Sequence, residues 1–222
     1  MKRILGGLAV LAAAGVVPAI AFDQAHVDQL LATKSCFDCD LTGAALAGVD
    51  LFDVYMTNAD MSGADLTGAN LAEGYLRFTT LVGTDFTGAD VTNVNFESAN
   101  LTGALLVDAI APEASFINAT LVGATLDGGD FSGANFNRAN LRTASLVGAD
   151  LSGANIVSAI LGEADFTGAD LTGANIERTG MTGVNLTDAD LTGATITATS
   201  LTAAIKCNTT MPDGTVDNSN CE

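Results

Sequence analysis

Every fifth residue from Leu41 to Leu201 is large and apolar, with Ala111 the one exception. The series has 33 positions, and no insertion shifts its phase. Two residues before each position sits a small residue. It is Ala in 22 cases and otherwise Gly, Val, Thr or Cys39. Asp or Asn is favoured between the two, and Thr or Ser followed by Gly comes after, as in Ala64-Asp65-Leu66-Thr67-Gly68. The repeated segment covers 39–203.

A period of five excludes the two usual regular structures. On an α-helix each step of five turns about 140° away from a shared face, so no apolar stripe forms. On a continuous strand five is odd, so successive leucines would point to opposite sides. The pattern works if the chain turns a corner every five residues. The small and large residues, two apart, then both face inward, and the Asp or Asn between them faces out. Thr-Gly supplies the corner, since Gly adopts turn dihedrals at little steric cost. A polygonal tube follows, each coil hydrogen-bonded to the next at about 4.8 Å along the axis. Tyr55 and Tyr75 recur 20 residues apart, as do Phe96, Phe116 and Phe136. This favours four faces, although the period alone also admits three. Composition agrees with a tube of small side chains: there is no Trp, one His, 24 Gly and only 5% aromatic residues. A core built around large side chains is excluded, and a repeat architecture is favoured.

The A-(D/N)-L-x-x run resembles the pentapeptide-repeat family over most of the chain. The resemblance implies an all-β fold, a right-handed quadrilateral parallel β-helix. Its repeats would make about eight coils, a rod of roughly 40 Å. The flanks are similar to those of exported bacterial members: Val27 to Lys34 leads into Cys36-Phe37-Asp38-Cys39, and a tail from Cys207 closes with Cys221. Open coil ends are sheet edges that invite aggregation unless covered. Asp23 to Lys34 carries Val27, Leu30 and Leu31 at helical spacing and is expected to cap the N-terminal end. The tail from Ile205 to Glu222 is expected to cover the other. The expected organisation is a signal peptide over 1–21, a cap with a helix over 22–38, the solenoid over 39–203 and a disulfide-bearing cap over 204–222.

Lys2 and Arg3, the apolar stretch Ile4 to Val17 and Ala19-Ile20-Ala21 together read as a cleavable signal peptide. The apolar run is shorter than the ~20 residues a bilayer requires, so no stable membrane anchor is expected. The predicted location is periplasmic or secreted. Loss of Lys2 and Arg3 leaves six basic residues against 26 acidic ones, a net charge of −20. That excludes nucleic acid and anionic membrane as partners and admits basic proteins or cations.

No catalytic, cofactor or metal residues are predicted. Cys36-x-x-Cys39 has the spacing of a redox motif, but Cys39 occupies an inward position of the first coil rather than a helix N-terminus. Bonded cysteines must have Cα atoms within about 7 Å. With the coil stack between the two pairs, Cys36–Cys39 and Cys207–Cys221 are the reachable disulfides, and a four-Cys zinc site is not. His26, the sole histidine, reads as a surface residue. Asp130, Asp150, Asp170 and Asp190 recur at 20. They would form either a weak cation strip or a row of acceptors for nearby backbone N–H groups.

Few outward positions are large and apolar: Phe52, Tyr55, Tyr75, Phe78, Leu105, Ile110, Ile117 and Ile160. Tyr55, Tyr75 and Phe78 are read as belonging to one face near the N-terminal end and form the candidate interaction patch. The expected function is that of an exported, monomeric, non-enzymatic structural or protein-interaction solenoid with an unidentified protein partner. The resemblance also implies an alternative, an acidic DNA mimic that binds a type II topoisomerase. The signal peptide and cysteine pairs oppose it, because that enzyme is cytoplasmic.

Overall fold

The computed structural model describes residues 23–221. The expected signal peptide lies outside the described residues. Parallel bridges join residues 20 apart at every fifth position, from Ser35↔Tyr55 to Asp190↔Thr210. Each coil therefore turns four corners, which removes the three-faced alternative.

One repeat shows why five residues suffice. The Leu66 N–H donates to Asp85 O in the next coil (2.8 Å), and the Gly68 N–H to Thr87 O (2.9 Å). Asn70 N–H reaches back to Val49 O (3.0 Å), and Ala69 N–H closes the corner onto Leu66 O (3.0 Å). The Thr67 N–H has no backbone partner and donates instead to Asp65 Oδ1 at 3.0 Å. Five consecutive donors are satisfied by one repeat and its neighbours, leaving none to pay a desolvation penalty. Gly68 sits at φ 61°, the left-handed third position of a type II corner. Where the sequence departs from Gly, the backbone does not: Phe78 is held at φ 58° and Thr143 at φ 55°.

Both inward rows are buried along nearly the whole tube. The rings of Phe96, Phe116 and Phe136 stack along one column with centroids 5.1 and 4.8 Å apart. Where Thr takes the small position, its hydroxyl is satisfied. Thr84 donates to Met61 O (2.8 Å) and Thr209 to Leu186 O (2.6 Å).

The ladder runs further than the side-chain pattern, because bridges are made by backbone groups. It begins at Ser35 and ends at Thr210, inside both expected caps. Helix α1 (Gln24–Thr33) precedes it. Asp23 accepts the Ala25 N–H at the helix start, and Lys34 ends it at φ 52° with its N–H on Leu30 O. Val27 and Leu30 are buried in the same core as Leu41. Leu31 corrects the sequence expectation: it is 50% exposed. One residue beyond Leu30 is about 100° around the helix, which turns Leu31 away from the coil. His26 is also more than a surface residue, since its Nδ1 accepts the Asp40 N–H at 3.0 Å and ties α1 to the first coil.

At the other end β1 (Thr209–Thr210) pairs antiparallel with β2 (Val216–Asp217), around a turn with Gly214 at φ 81°. Lys206 Nζ lies 2.8 Å from Asp217 Oδ2 and anchors this hairpin.

Candidate functional site

The cysteines are joined as Cys36–Cys39 and Cys207–Cys221, with Cα separations of 5.5 and 4.7 Å. No described cysteine is free. The second bond links the last coil to the chain beyond β2.

The outward acidic row has a structural occupation. Asp130, Asp150, Asp170 and Asp190 each accept the N–H two residues on, at 2.8 to 2.9 Å. Every Asp and Asn at this repeat position does the same. Hydroxyls at the following Thr pull some carboxyls further down: Asp65 and Asp190 lie below the usual range because Thr67 and Thr192 donate to them through side chain and backbone. Among the described residues no group of three or more His, Cys, Asp and Glu is placed to hold a metal ion.

The aromatic residues make a surface. Tyr55 and Tyr75 stack with ring centroids 4.8 Å apart and planes 7° from parallel. Phe78 is exposed on the next corner, and Arg77 lies 5.1 Å above its ring while pairing with Glu97 at 3.0 Å. The tyrosines do not stand alone. Leu31 and Thr33 of α1, together with Lys34, face Phe52, Asp53 and Tyr55 across a cleft of about 540 Å³. Phe52 is 47% exposed there. The Asp53 charge, followed by desolvation, raises the Tyr55 hydroxyl above its ordinary value.

Leu31 and Phe52 adjoin Tyr55 of the patch read from the sequence, while Tyr75 and Phe78 lie outside the cleft lining. Phe52 carried a signal as an outward aromatic, but Leu31 carried none, because its exposure depends on how α1 docks. A second cleft, of about 560 Å³, lies at the far end between Ile196 and the β1–β2 hairpin, lined also by Asp213, Thr215, Asp217 and Asn218.

The family model described as pentapeptide repeats matches in eight copies over stretches lying between residues 35 and 205. The chain belongs to the pentapeptide-repeat family. Proteins of this family fold as right-handed β-helices and are generally structural or interaction proteins rather than enzymes. Among solved structures, the chain is similar to HetL, a pentapeptide repeat protein involved in heterocyst differentiation regulation in the cyanobacterium Nostoc. The two are 25% identical over 86% of this chain and 97% of HetL, with a TM-score of 0.57. A thylakoid-lumen pentapeptide repeat protein of Arabidopsis thaliana is 30% identical over 51% of this chain and 65% of its own, with a TM-score of 0.37. QnrB1, a plasmid-mediated fluoroquinolone resistance protein, is 17% identical over 75% of this chain and 92% of its own, also at 0.37. No curated protein matches the chain.

Proposed function

We propose that this pentapeptide-repeat protein is an exported, non-enzymatic interaction solenoid, capped by α1 at one end and by its C-terminal hairpin at the other. Its docking surface is the aromatic face beside α1. The observation that carries this reading is local contrast. Outward positions elsewhere are mostly Asp, Asn, Thr and Gly, whereas Leu31, Phe52, Tyr55, Tyr75 and Phe78 expose large apolar groups around one end. Water-exposed aromatics clustered beside a cleft are the usual anchors of a protein contact. The two disulfides support export, since such bonds persist in oxidising compartments. The same bonds weigh against the alternative of a cytoplasmic topoisomerase partner. The remaining acidic surface keeps a long rod soluble and apart from nucleic acid.

A photo-crosslinking residue at Tyr75, with another at the remote outward Asn155 as control, tests the surface in living cells. A discrete protein adduct from position 75 and none from 155 is expected. Equal labelling at both positions refutes the assignment. Fractionation, with N-terminal sequencing of the exported protein, is expected to give a mature chain starting at Phe22, and intact Met1 on cytosolic material refutes export.

A further inference from the structure

We infer that the cleft between α1 and the first coils takes a basic–apolar segment of another protein, its apolar side chain between Leu31 and Phe52 and its Lys or Arg on Asp53 and Glu73. This rests on the aromatic face being a docking surface and adds the chemistry of its partner.

The charges around the cleft decide the sign. Lys34 lines it, but its ammonium is already engaged, 3.2 Å from Phe52 O and 3.7 Å from Asp50 Oδ2. Arg77, on the far side of the tyrosines, is paired with Glu97 at 3.0 Å. Both nearby cations are therefore committed. Asp53 lines the cleft and forms no ion pair with any described residue. Glu73 holds the equivalent corner one coil along and is bonded only by the neutral amide of Asn93, at 3.0 Å. Coils repeat at about 4.8 Å, so the uncompensated carboxylate of Asp53, in a cleft that Leu31, Phe52 and Tyr55 line with Thr33 and Lys34, has that of Glu73 on the corner one coil further along. A cation from outside relieves their repulsion, and an anion adds to it. The outer faces of the stacked Tyr55–Tyr75 pair offer a nearby cation a second, quadrupolar attraction. An occupant with apolar and basic side chains satisfies the groove and its rim together. A purely apolar one leaves the carboxylates unpaired at the edge of a desolvated contact.

Fluorescence anisotropy of the purified protein with four short labelled peptides tests this. One alternates Lys with Leu and Phe, one Glu with Leu and Phe, one Lys with Ser, and one carries residues 1–22 of this chain. The Lys–Leu–Phe peptide is expected to bind and the Glu and Ser peptides not to. Asp53→Asn with Glu73→Gln is expected to weaken binding about tenfold. Asp130→Asn with Asp150→Asn, which removes the same number of charges elsewhere, is expected to change it less than about twofold. Phe52→Ser is expected to abolish binding, with an unchanged melting curve showing that the exposed site was altered without unfolding. Equal binding of the Lys and Glu apolar peptides overturns the charge inference while leaving the docking surface in place. Loss of binding in the remote double variant as large as in the local one also overturns it. Binding that survives Phe52→Ser overturns the docking surface itself. Binding of the residue 1–22 peptide alone, or a dimer in sedimentation that Phe52→Ser dissolves, assigns the cleft to this chain or a second copy and overturns the inference.

Discussion

The ring of Phe131 leans across Gly129: a Cβ placed on Gly129 would fall 2.6 Å from Phe131 Cε2 and 3.1 Å from Ala109 O. Phe131 is fully buried and tilts against Phe116 and Phe136, with centroids 6.2 and 6.0 Å away. Gly at the inward small position is here a packing requirement, unlike the corner glycines. Gly129→Ala should cost about 1–3 kcal/mol by overpacking. Phe131→Ala should cost about 3–5 kcal/mol by leaving a cavity. Because the two share one space, the double variant should be more stable than the sum of the single losses allows. Urea denaturation measures all three, and strict additivity would contradict the contact.

Phe78 keeps a bulky side chain at φ 58°. Left-handed backbone costs a residue with a Cβ about 1–2 kcal/mol. Phe78→Gly should therefore be about 1 kcal/mol more stable than Phe78→Ala, the reverse of the order in regular structure. Both variants lose the ring, so the comparison isolates the backbone. A more stable Ala variant would refute the strain.

Cys207 and Cys221 close the C-terminal end across 14 residues of sequence separation. In the chain-entropy model a loop of this size is worth about 3 kcal/mol. Cys221→Ser should lower stability by that order and expose the hairpin to proteases first. Peptide mapping under non-reducing conditions should recover Cys36 with Cys39 and Cys207 with Cys221. A peptide joining one end of the rod to the other would contradict the coil stack.

Asp217 is held at about 2 by the Lys206 ammonium first, then by the Ser219 hydroxyl and backbone N–H. A carboxyl depressed in the folded state contributes stability above its unfolded value and loses it as pH falls through the folded one. The hairpin should stay intact down to pH about 4 and loosen between about 4 and 2. Amide exchange at Met211, whose N–H donates to Thr215 O across the hairpin at 2.7 Å, measures it. Lys206→Met should shift the loosening to higher pH.

The acidic rows answer to hydrogen bonding. Asp170 Oδ1 accepts the Thr172 N–H at 2.8 Å, and an Asn at the same repeat position does the same work, as Asn155 does for Val157. Asp170→Asn should be nearly neutral, and Asp170→Ala should cost about 0.5–1.5 kcal/mol. Added calcium should leave the melting temperature unchanged, and a rise would revive a cation role for the row.

What the sequence determined by itself is what repeats. The five-residue phase, the two inward rows, the outward Asp or Asn and the corner at Gly all follow from local interactions made again in every repeat. No knowledge of distant residues is needed to read them. The number of faces required the tertiary structure, because it is set by the twenty-residue bridge from Tyr55 to Tyr75 and its equivalents rather than by any one corner. The same holds for everything outside the periodicity. Leu31 and Leu30 are adjacent leucines in one helix, yet only Leu30 is buried. Which one faces the core depends on how α1 docks, and the His26–Asp40 bond is one of the contacts that decide it. The candidate site is of this second kind. Its tyrosines belong to the repeat and were legible as a column, but the cleft exists only because a non-repeating helix comes to rest beside Phe52. A single docking event leaves no period in the chain to read.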